Sequence, residues 1–200
     1  HPSLSNFHRP HIAIRQAIAR LLCCNENMCG IVGHVACQAS QRSRQVVLDG
    51  LSRLEYRGYD SAGIALASPG KLNVIKAVGK LVNLREAVDQ DAPADAFAGI
   101  GHTRWATHGR PTVANAHPHV SPDGRFALVH NGIIENADNL RAQLRAQGAV
   151  FASETDTEVV VHLLAHAYDQ ADPASYTGEV AGLSGTDEAV ARRLVVAMRE

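Results

Sequence analysis

The stretch Met28-Cys29-Gly30-Ile31-Val32-Gly33 is the most informative segment of this 200-residue chain. Its apolar continuation, Ile31–Ala36, predicts a short β-strand that starts beside a glycine. A methionine before a small residue is the pattern from which an initiator methionine is removed, so translation from Met28 would leave Cys29 as the first residue. An N-terminal cysteine combines a nucleophilic thiol with an α-amine that accepts a proton near neutral pH. On these residues alone, a buried structural cysteine at a strand start is the competing interpretation.

The composition excludes several classes of function. Apolar residues make up 46% of the chain and charged residues 20%, which is typical of a globular protein. The net charge of -1 and the aromatic content of 4% argue against a nucleic-acid partner. No apolar run is long enough for a bilayer, so we expect no membrane partner. The four cysteines are too few for a disulfide scaffold and favour a cytoplasmic location.

Hydrophobic periodicity predicts a mixture of strands and helices. After the first strand, the β-prone runs are Ser61–Ala67, Lys71–Val78, Phe97–His102, Phe126–His130 and Ile133–Ile134. The helical patterns are Ser40–Leu54, Lys80–Gln90, Asn136–Gln147, Thr155–Tyr168 and residues 186–199. Because two or three strands follow one another without intervening helices, the pattern favours an α+β fold with antiparallel sheets.

Two local signals refine this prediction. Asn131-Gly132, between two β-prone runs, predicts a type I′ hairpin turn. Thr155 followed three residues later by Glu158 predicts a capping box at the start of a helix. A further helix is expected to begin with Thr186 as its N-cap.

Histidines near the middle of the chain raise the question of a metal site. His117-Pro118-His119 offers two ligands at one spacing without an accompanying cysteine or acidic cluster, so we expect a loop there. His102 follows a β-prone run, and we expect it to be packed rather than catalytic.

Five downstream blocks change the interpretation of the cysteine. They are Leu54–Gly63, His102–Gly109, Asn115–His119, His130–Asn136 and Ser153–Glu158. In this order and spacing, from residue 28 to about residue 168, the chain resembles the class II glutamine amidotransferases. The resemblance implies a four-layer αββα sandwich of the N-terminal-nucleophile hydrolase type. Tyr56–Tyr59 and Arg104–Thr107 favour the sugar-phosphate aminotransferase branch of the family, with the amidophosphoribosyltransferase branch as the alternative.

The same resemblance assigns catalytic roles to three residues. Cys29 would attack the side-chain amide of glutamine, with its own α-amine as the base. The side-chain amide of Asn131 and the backbone N–H of Gly132 would form an oxyanion hole, which is compatible with a tight turn at these residues. The chain would therefore be a glutamine-hydrolysing enzyme.

Substrate recognition is assigned to five further residues. Arg104 has a planar, forked cation that suits a carboxylate, and the resemblance gives it the α-carboxylate of glutamine rather than a surface salt bridge. Asp156, at the first position of a predicted helix, would bind the α-ammonium group. Trp105 would belong to a mobile loop over the glutamine site, and Thr107 and His108 would line that site.

The predicted organisation has two parts. We expect residues 1–27 to be a flexible upstream extension and residues 28–200 to be a C-terminally truncated glutamine amidotransferase domain. In the complete enzyme, expected to be a homo-oligomer, the ammonia would pass to a sugar-phosphate isomerase domain that is absent here. No metal or organic cofactor is implied. Two alternatives stay open: a silent chain whose extension acylates the Cys29 amine, and an amidase of another substrate.

Overall fold

The computed structural model describes residues 29–105, 110–178, 180 and 182–199. The expected extension, residues 1–27, and two candidate site residues, Thr107 and His108, lie outside the described residues. Within those ranges, no helix is both long enough and apolar enough to cross a membrane.

Four antiparallel strands form the main sheet. They are β1 (Gly30–Ser40), β2 (Ser61–Ser68), β3 (Lys71–Val78) and β4 (Ala96–Arg104), arranged in the order β1-β4-β2-β3. Thr103, near the end of β4, lies opposite Gly30 at the start of β1 and opposite Ala62 in β2. This register places Cys29 beside Arg104 and the residue that follows it.

Two helices cover one face of this sheet, α1 (Arg42–Leu54) and α2 (Leu81–Asp91). Their core-facing side chains are at most 4% exposed and pack with the inward side chains of β2; they are Val47, Leu48, Leu51, Leu81, Leu84 and Val88. Gly101 in β4 permits this packing, because a Cβ there would lie 2.5 Å from Val47 Cγ1. The core therefore sits between the helices and the central strands.

A second, smaller sheet lies against the other face. It contains β5 (His119–Val120) and β6 (Ala127–Leu128), joined by residues 121–126, and the Ser121 N–H donates to the Phe126 carbonyl at 2.9 Å. A Cβ on Gly63 of β2 would overlap the carbonyl oxygen of His117, so the two layers touch at backbone level.

Three helices complete the chain: α3 (Ala137–Ala146), α4 (Asp156–Gln170) and α5 (Gly185–Ala197). Helix α4 packs on β5 and β6, so the layers run helix, sheet, sheet, helix. The antiparallel α+β fold and its four-layer arrangement are confirmed, with only two strands in the second sheet among the residues that the structure describes.

The predicted hairpin at Asn131-Gly132 is wrong. Strand β6 ends at Leu128, residues 133–134 form no strand, and Gly132 is not among the glycines with a positive φ. The β5–β6 connection instead turns at Gly124, which has a φ of 73°. Long-range hydrogen bonds of the Asn131 side chain replace the local turn that its sequence favours.

The predicted capping box is also wrong, although α4 starts where it was expected. The Thr155 side chain makes no capping bond, and its Oγ1 lies 2.8 Å from His119 Nε2. Glu158 accepts hydrogen bonds from the N–H groups of Ala152 and Ser153, both at 2.7 Å. Thr155 therefore bonds a residue distant in sequence, and Glu158 bonds the segment that precedes the helix, instead of capping each other's backbone.

Two further differences concern the ends of elements. Helix α5 follows Ser184 and begins at Gly185, so its N-cap is not Thr186. His119 lies in β5 rather than in a loop, and both His119 and His117 are buried.

Candidate active site

A cavity of about 530 Å³ opens where β1 and β4 meet the segment that precedes α3 and the start of α4. Six of the eight predicted site residues line it: Cys29, Arg104, Trp105, Asn131, Gly132 and Asp156. Thr107 and His108 fall among residues that the structure does not describe. The cavity therefore collects, from distant parts of the chain, the thiol, the cation, the amide and the carboxylate that were predicted to act together.

Cys29 is half-buried, and three hydrogen bonds hold it and the following residue in place. The Trp105 N–H donates to Cys29 Sγ at 3.2 Å, and the next residue, Gly30, donates its N–H to Thr103 Oγ1 at 3.2 Å. The Cys29 carbonyl accepts from Asn131 Nδ2 at 2.9 Å. The Cys29 thiol also donates to the Trp105 carbonyl at 3.7 Å, so the backbone of Trp105 contacts the sulfur through two atoms.

Arg104 ends β4 on the cavity wall and is only 6% exposed. Burial lowers the pKa of Arg104 from its usual value, while nearby groups, Asp60 and Asp156 among them, act in the opposite direction. A guanidinium keeps its proton under any such shift. The cavity therefore has a permanent, largely desolvated cation on one wall.

Asp156 supplies negative charge to the same cavity. It is the first residue of α4, and its Oδ2 accepts a hydrogen bond from the Ile134 N–H at 2.7 Å. This bond ties the loop that carries Asn131 to the start of the helix. A cavity that presents both a cation and a carboxylate matches a zwitterionic ligand.

Residues 54–63 contact the end of β4 and the residue that follows it. A Cβ on Gly58 would lie 2.7 Å from the carbonyl carbon of Arg104, and the Asp60 N–H donates to the Arg104 carbonyl at 3.2 Å. The Tyr59 ring packs edge-on against Trp105, with 5.2 Å between ring centroids. Residues 54–63 therefore position Arg104 and Trp105 but do not themselves line the cavity. The sequence of this block did not indicate that role.

Gly132 is held close to a neighbouring ring. A Cβ on Gly132 would lie 2.7 Å from His130 Nε2, so a larger residue would displace the imidazole. His130 also lines the cavity, and its Nδ1 lies 3.4 Å from Thr157 Oγ1. Neither His130 nor Thr157 was singled out from the sequence.

His102 is packed, as expected, but it also contacts the site. It is fully buried in β4, with its Nε2 2.8 Å from Asn131 Oδ1 and its ring 4.3 Å from that of His117. Burial lowers the pKa of His102 to about 4. One sequence signal was available, because alternation along a strand places His102 on the same face as Arg104.

The described histidines and acids do not gather into a metal centre. Across residues 29–105, 110–178, 180 and 182–199, no group of three or more histidine, cysteine or acidic side chains could hold an ion.

A half-buried thiol lies beside an amide, a cation and a carboxylate, on the paired antiparallel sheets of an N-terminal-nucleophile type of fold. Residues 70–172, just over half of the chain, match the family described as glutamine amidotransferase domain. The chain belongs to this family.

Among curated proteins, the chain is similar to enzymes named glutamine–fructose-6-phosphate aminotransferase (isomerizing). It is 56% identical over 142 residues to that of Symbiobacterium thermophilum, a match that covers 71% of this chain and 23% of the relative. The match to the Mycobacterium bovis protein is 53% over 157 residues, covering 76% and 24%. The chain thus spans about a quarter of the length of the curated relatives it matches.

Two solved structures share the fold. One, titled as the allosteric regulatory enzyme of purine biosynthesis, matches with a TM-score of 0.57 and 27% identity over 82% of this chain and 32% of that one. The other is the glutamine phosphoribosylpyrophosphate amidotransferase of B. subtilis, with a TM-score of 0.52 and 28% identity, covering 84% and 32%.

Proposed function

We propose that this domain is the glutaminase part of a glutamine–fructose-6-phosphate aminotransferase. It hydrolyses glutamine to glutamate and ammonia. In the complete enzyme the ammonia passes to a sugar-phosphate isomerase domain, which makes glucosamine 6-phosphate from fructose 6-phosphate. The observation that carries the proposal is the single cavity in which Cys29, Arg104, Asn131 and Asp156 meet.

The higher identity to the aminotransferases favours this branch of the family. Those relatives are 53–58% identical over their matched regions, whereas the solved phosphoribosylpyrophosphate amidotransferase is 28% identical. We further propose that the complete enzyme is a cytoplasmic homo-oligomer, as the resemblance implies.

Glutamine would be recognised at both of its charged ends. Arg104 binds the α-carboxylate, since a forked guanidinium can donate two parallel hydrogen bonds to it. Asp156 binds the α-ammonium group, with its carboxylate already oriented by the Ile134 N–H. Trp105 lines the cavity, and the resemblance assigns contacts with the remainder of the substrate to Trp105, Thr107 and His108. This arrangement directs the side-chain amide of glutamine toward Cys29.

The chemistry then proceeds in two half-reactions. The Cys29 thiol attacks the amide carbon, its proton moves to the α-amine of the same residue, and a tetrahedral oxyanion forms. Asn131 and Gly132 stabilise that oxyanion through N–H groups. The intermediate collapses as the α-ammonium returns its proton to the departing ammonia, leaving a glutamyl thioester. Water attacks the thioester with the α-amine as base, which releases glutamate and restores the thiol.

The proposal requires a free amine on Cys29. When residue 28 is joined to Cys29, the nitrogen belongs to a peptide bond and has no basic lone pair. We therefore propose that the active protein begins at Cys29, and that any preceding segment, residues 1–27 included, is not part of it. A chain with that segment attached would be folded but silent.

The decisive experiment uses the complete protein beginning at Cys29. We expect it to form glutamate from glutamine and, with fructose 6-phosphate, glucosamine 6-phosphate. Cys29→Ala abolishes both activities, whereas Cys37→Ala, a matched change at an exposed cysteine, leaves them near wild type. Full glutamine hydrolysis by Cys29→Ala would refute the nucleophile. Turnover of phosphoribosyl pyrophosphate in place of fructose 6-phosphate would assign the chain to the other branch, and equal turnover of asparagine would indicate a general amidase.

A further inference from the structure

We propose that His102 is a positioning residue for this reaction, because its Nε2–H fixes the orientation of the Asn131 side-chain amide in the oxyanion hole. The inference rests on the proposed glutaminase function. It gives a role to a buried histidine that neither attacks the substrate nor lines the cavity.

The contacts of Asn131 determine which way round its amide lies. Asn131 Nδ2 is 2.9 Å from the carbonyl oxygen of Cys29, which can only accept a hydrogen bond. The opposite orientation would place Oδ1 against that oxygen, and two acceptors would face each other. Oδ1 therefore faces His102 Nε2, 2.8 Å away. Because an amide oxygen cannot donate, the hydrogen of this second bond belongs to His102.

The environment of His102 makes this donor permanent. Its ring is fully buried, and burial lowers its pKa to about 4, so the imidazole is neutral at physiological pH. A neutral imidazole carries one N–H, which the bond to Asn131 places on Nε2. The protein thus holds His102 as a single tautomer.

The position of His102 makes it a rigid anchor. It lies in the middle of the main sheet, opposite Ile31 of β1 and Gly63 of β2. Asn131, by contrast, is exposed and lies in an irregular segment outside any strand or helix. The hydrogen bond from His102 restricts the orientation of the Asn131 side chain. The second N–H of the Asn131 amide is then free to donate to the oxyanion.

A mutational cycle separates positioning from simple packing. In the complete enzyme beginning at Cys29, we expect His102→Ala to lower kcat for glutamine hydrolysis by about 10- to 100-fold, somewhat less than the 10²–10³ typical of deleting an oxyanion donor. KM should change less than about threefold, because the charged ends of glutamine are held elsewhere. In an Asn131→Ala background, His102→Ala should have no further effect on kcat, because the two residues act as a unit.

Two variants serve as matched comparisons. His102→Gln offers an amide N–H in place of Nε2–H and should recover most of the lost kcat. His162→Ala removes a histidine that is 6% exposed and packs against Phe151, away from the cavity. We expect it to lower thermal stability while leaving kcat near wild type.

The proposal is overturned if His102→Ala lowers kcat equally in both backgrounds, if it acts on KM alone, or if His102→Gln is as slow as His102→Ala.

If His102→Ala does not fold, ¹⁵N NMR of histidine-labelled wild-type protein determines the tautomer of His102. The His102→Gln variant is used to assign the signal. A neutral Nε2–H tautomer supports the proposal, and a Nδ1–H tautomer refutes it. An inactive wild type, or an active Cys29→Ala, would instead refute the proposed function.

Discussion

The backbone N–H of Trp105 donates a hydrogen bond to the Sγ of Cys29 across 3.2 Å. Trp105 directly follows β4 and Cys29 directly precedes β1, and these strands pair antiparallel with Thr103 opposite Gly30. The contact is therefore set by strand register rather than by a loop. Any change that shifts this register moves the Cys29 thiol relative to the Trp105 N–H.

Arg104 and Asp156 give the first prediction. Charge-assisted hydrogen bonds are worth about 1.5–3 kcal/mol, so Arg104→Ala and Asp156→Asn should each raise KM for glutamine at least tenfold. Steady-state glutamate formation measures the effect. Arg110→Ala, an exposed arginine close by in sequence, is the control. Unchanged KM and unchanged inhibition by glutamate in both site variants would refute the recognition roles.

Gly58 gives a second prediction. Its Cβ would lie within 3 Å of the Arg104 carbonyl and the Trp105 nitrogen, so Gly58→Ala must displace the end of β4. We expect kcat/KM to fall at least tenfold, because misplacement of reacting groups by about 1 Å can cost 10²-fold. The control is Gly33→Ala in β1, where no atom lies within 4 Å of the added carbon. If Gly58→Ala and Gly33→Ala are equally active, the contact of residues 54–63 with the end of β4 is not needed for activity.

The buried histidines predict a pH dependence of stability. Burial lowers the pKa of His102 to about 4 and that of His119 to about 3, and it also lowers the pKa of His117. The unfolded chain binds protons below about pH 6.5 while the folded one does not, so the free energy of unfolding falls as pH drops from there. For His102 alone, the loss approaches about 3 kcal/mol near pH 4.

Thermal unfolding between pH 7 and pH 4.5 measures this effect. The midpoint should decline with acidification, and His119→Gln should flatten the decline even if it lowers stability at pH 7. A midpoint independent of pH over this range would contradict the account of a neutral, buried histidine cluster.

The nitrogen of Cys29 gives a fourth prediction. Two versions of the complete protein, one starting at His1 and one at Cys29, should differ by at least about 10²-fold in glutamine hydrolysis, the lower end of the range for general-base catalysis. Mass spectrometry establishes the true N-terminus of each. Equal turnover from a verified uncleaved chain would mean that another group is the base, and the mechanism through the α-amine would have to be abandoned.

Local patterns predicted most of the fold because the hydrophobic periodicity of each main helix and strand matches the structure that it forms. The apolar face of residues 47–54, for example, forms the buried side of α1. Asn131 and Thr155 show where such patterns fail. Each carries a strong local signal, a turn and a cap, yet each side chain instead bonds a histidine distant in sequence. Local propensities are worth about 1 kcal/mol, which one buried hydrogen bond can outweigh.

The candidate site shows the same division. The resemblance supplied the residues that meet in the cavity, since each lies in a distinctive block. It assigned no role to His102 or Gly58, whose contributions depend on strand pairing and backbone proximity. A histidine in a strand or a glycine in a loop can be present for many structural reasons. The distance from His102 to Asn131 and that from Gly58 to Arg104 identify the contribution of each residue.

The absence of a side chain at Gly63 has a consequence for how the domain moves. The carbonyl of His117 contacts β2 directly at Gly63, and the paired residues 61–64 of β2 and 101–104 of β4 are all buried. Amide hydrogens of residues 61–64 and 101–104 should therefore exchange only through global unfolding, while those of the segment around Gly132 exchange through local opening. Admission and release of the ligand can then proceed by fluctuations on one side of the cavity, without loosening the wall that carries Arg104.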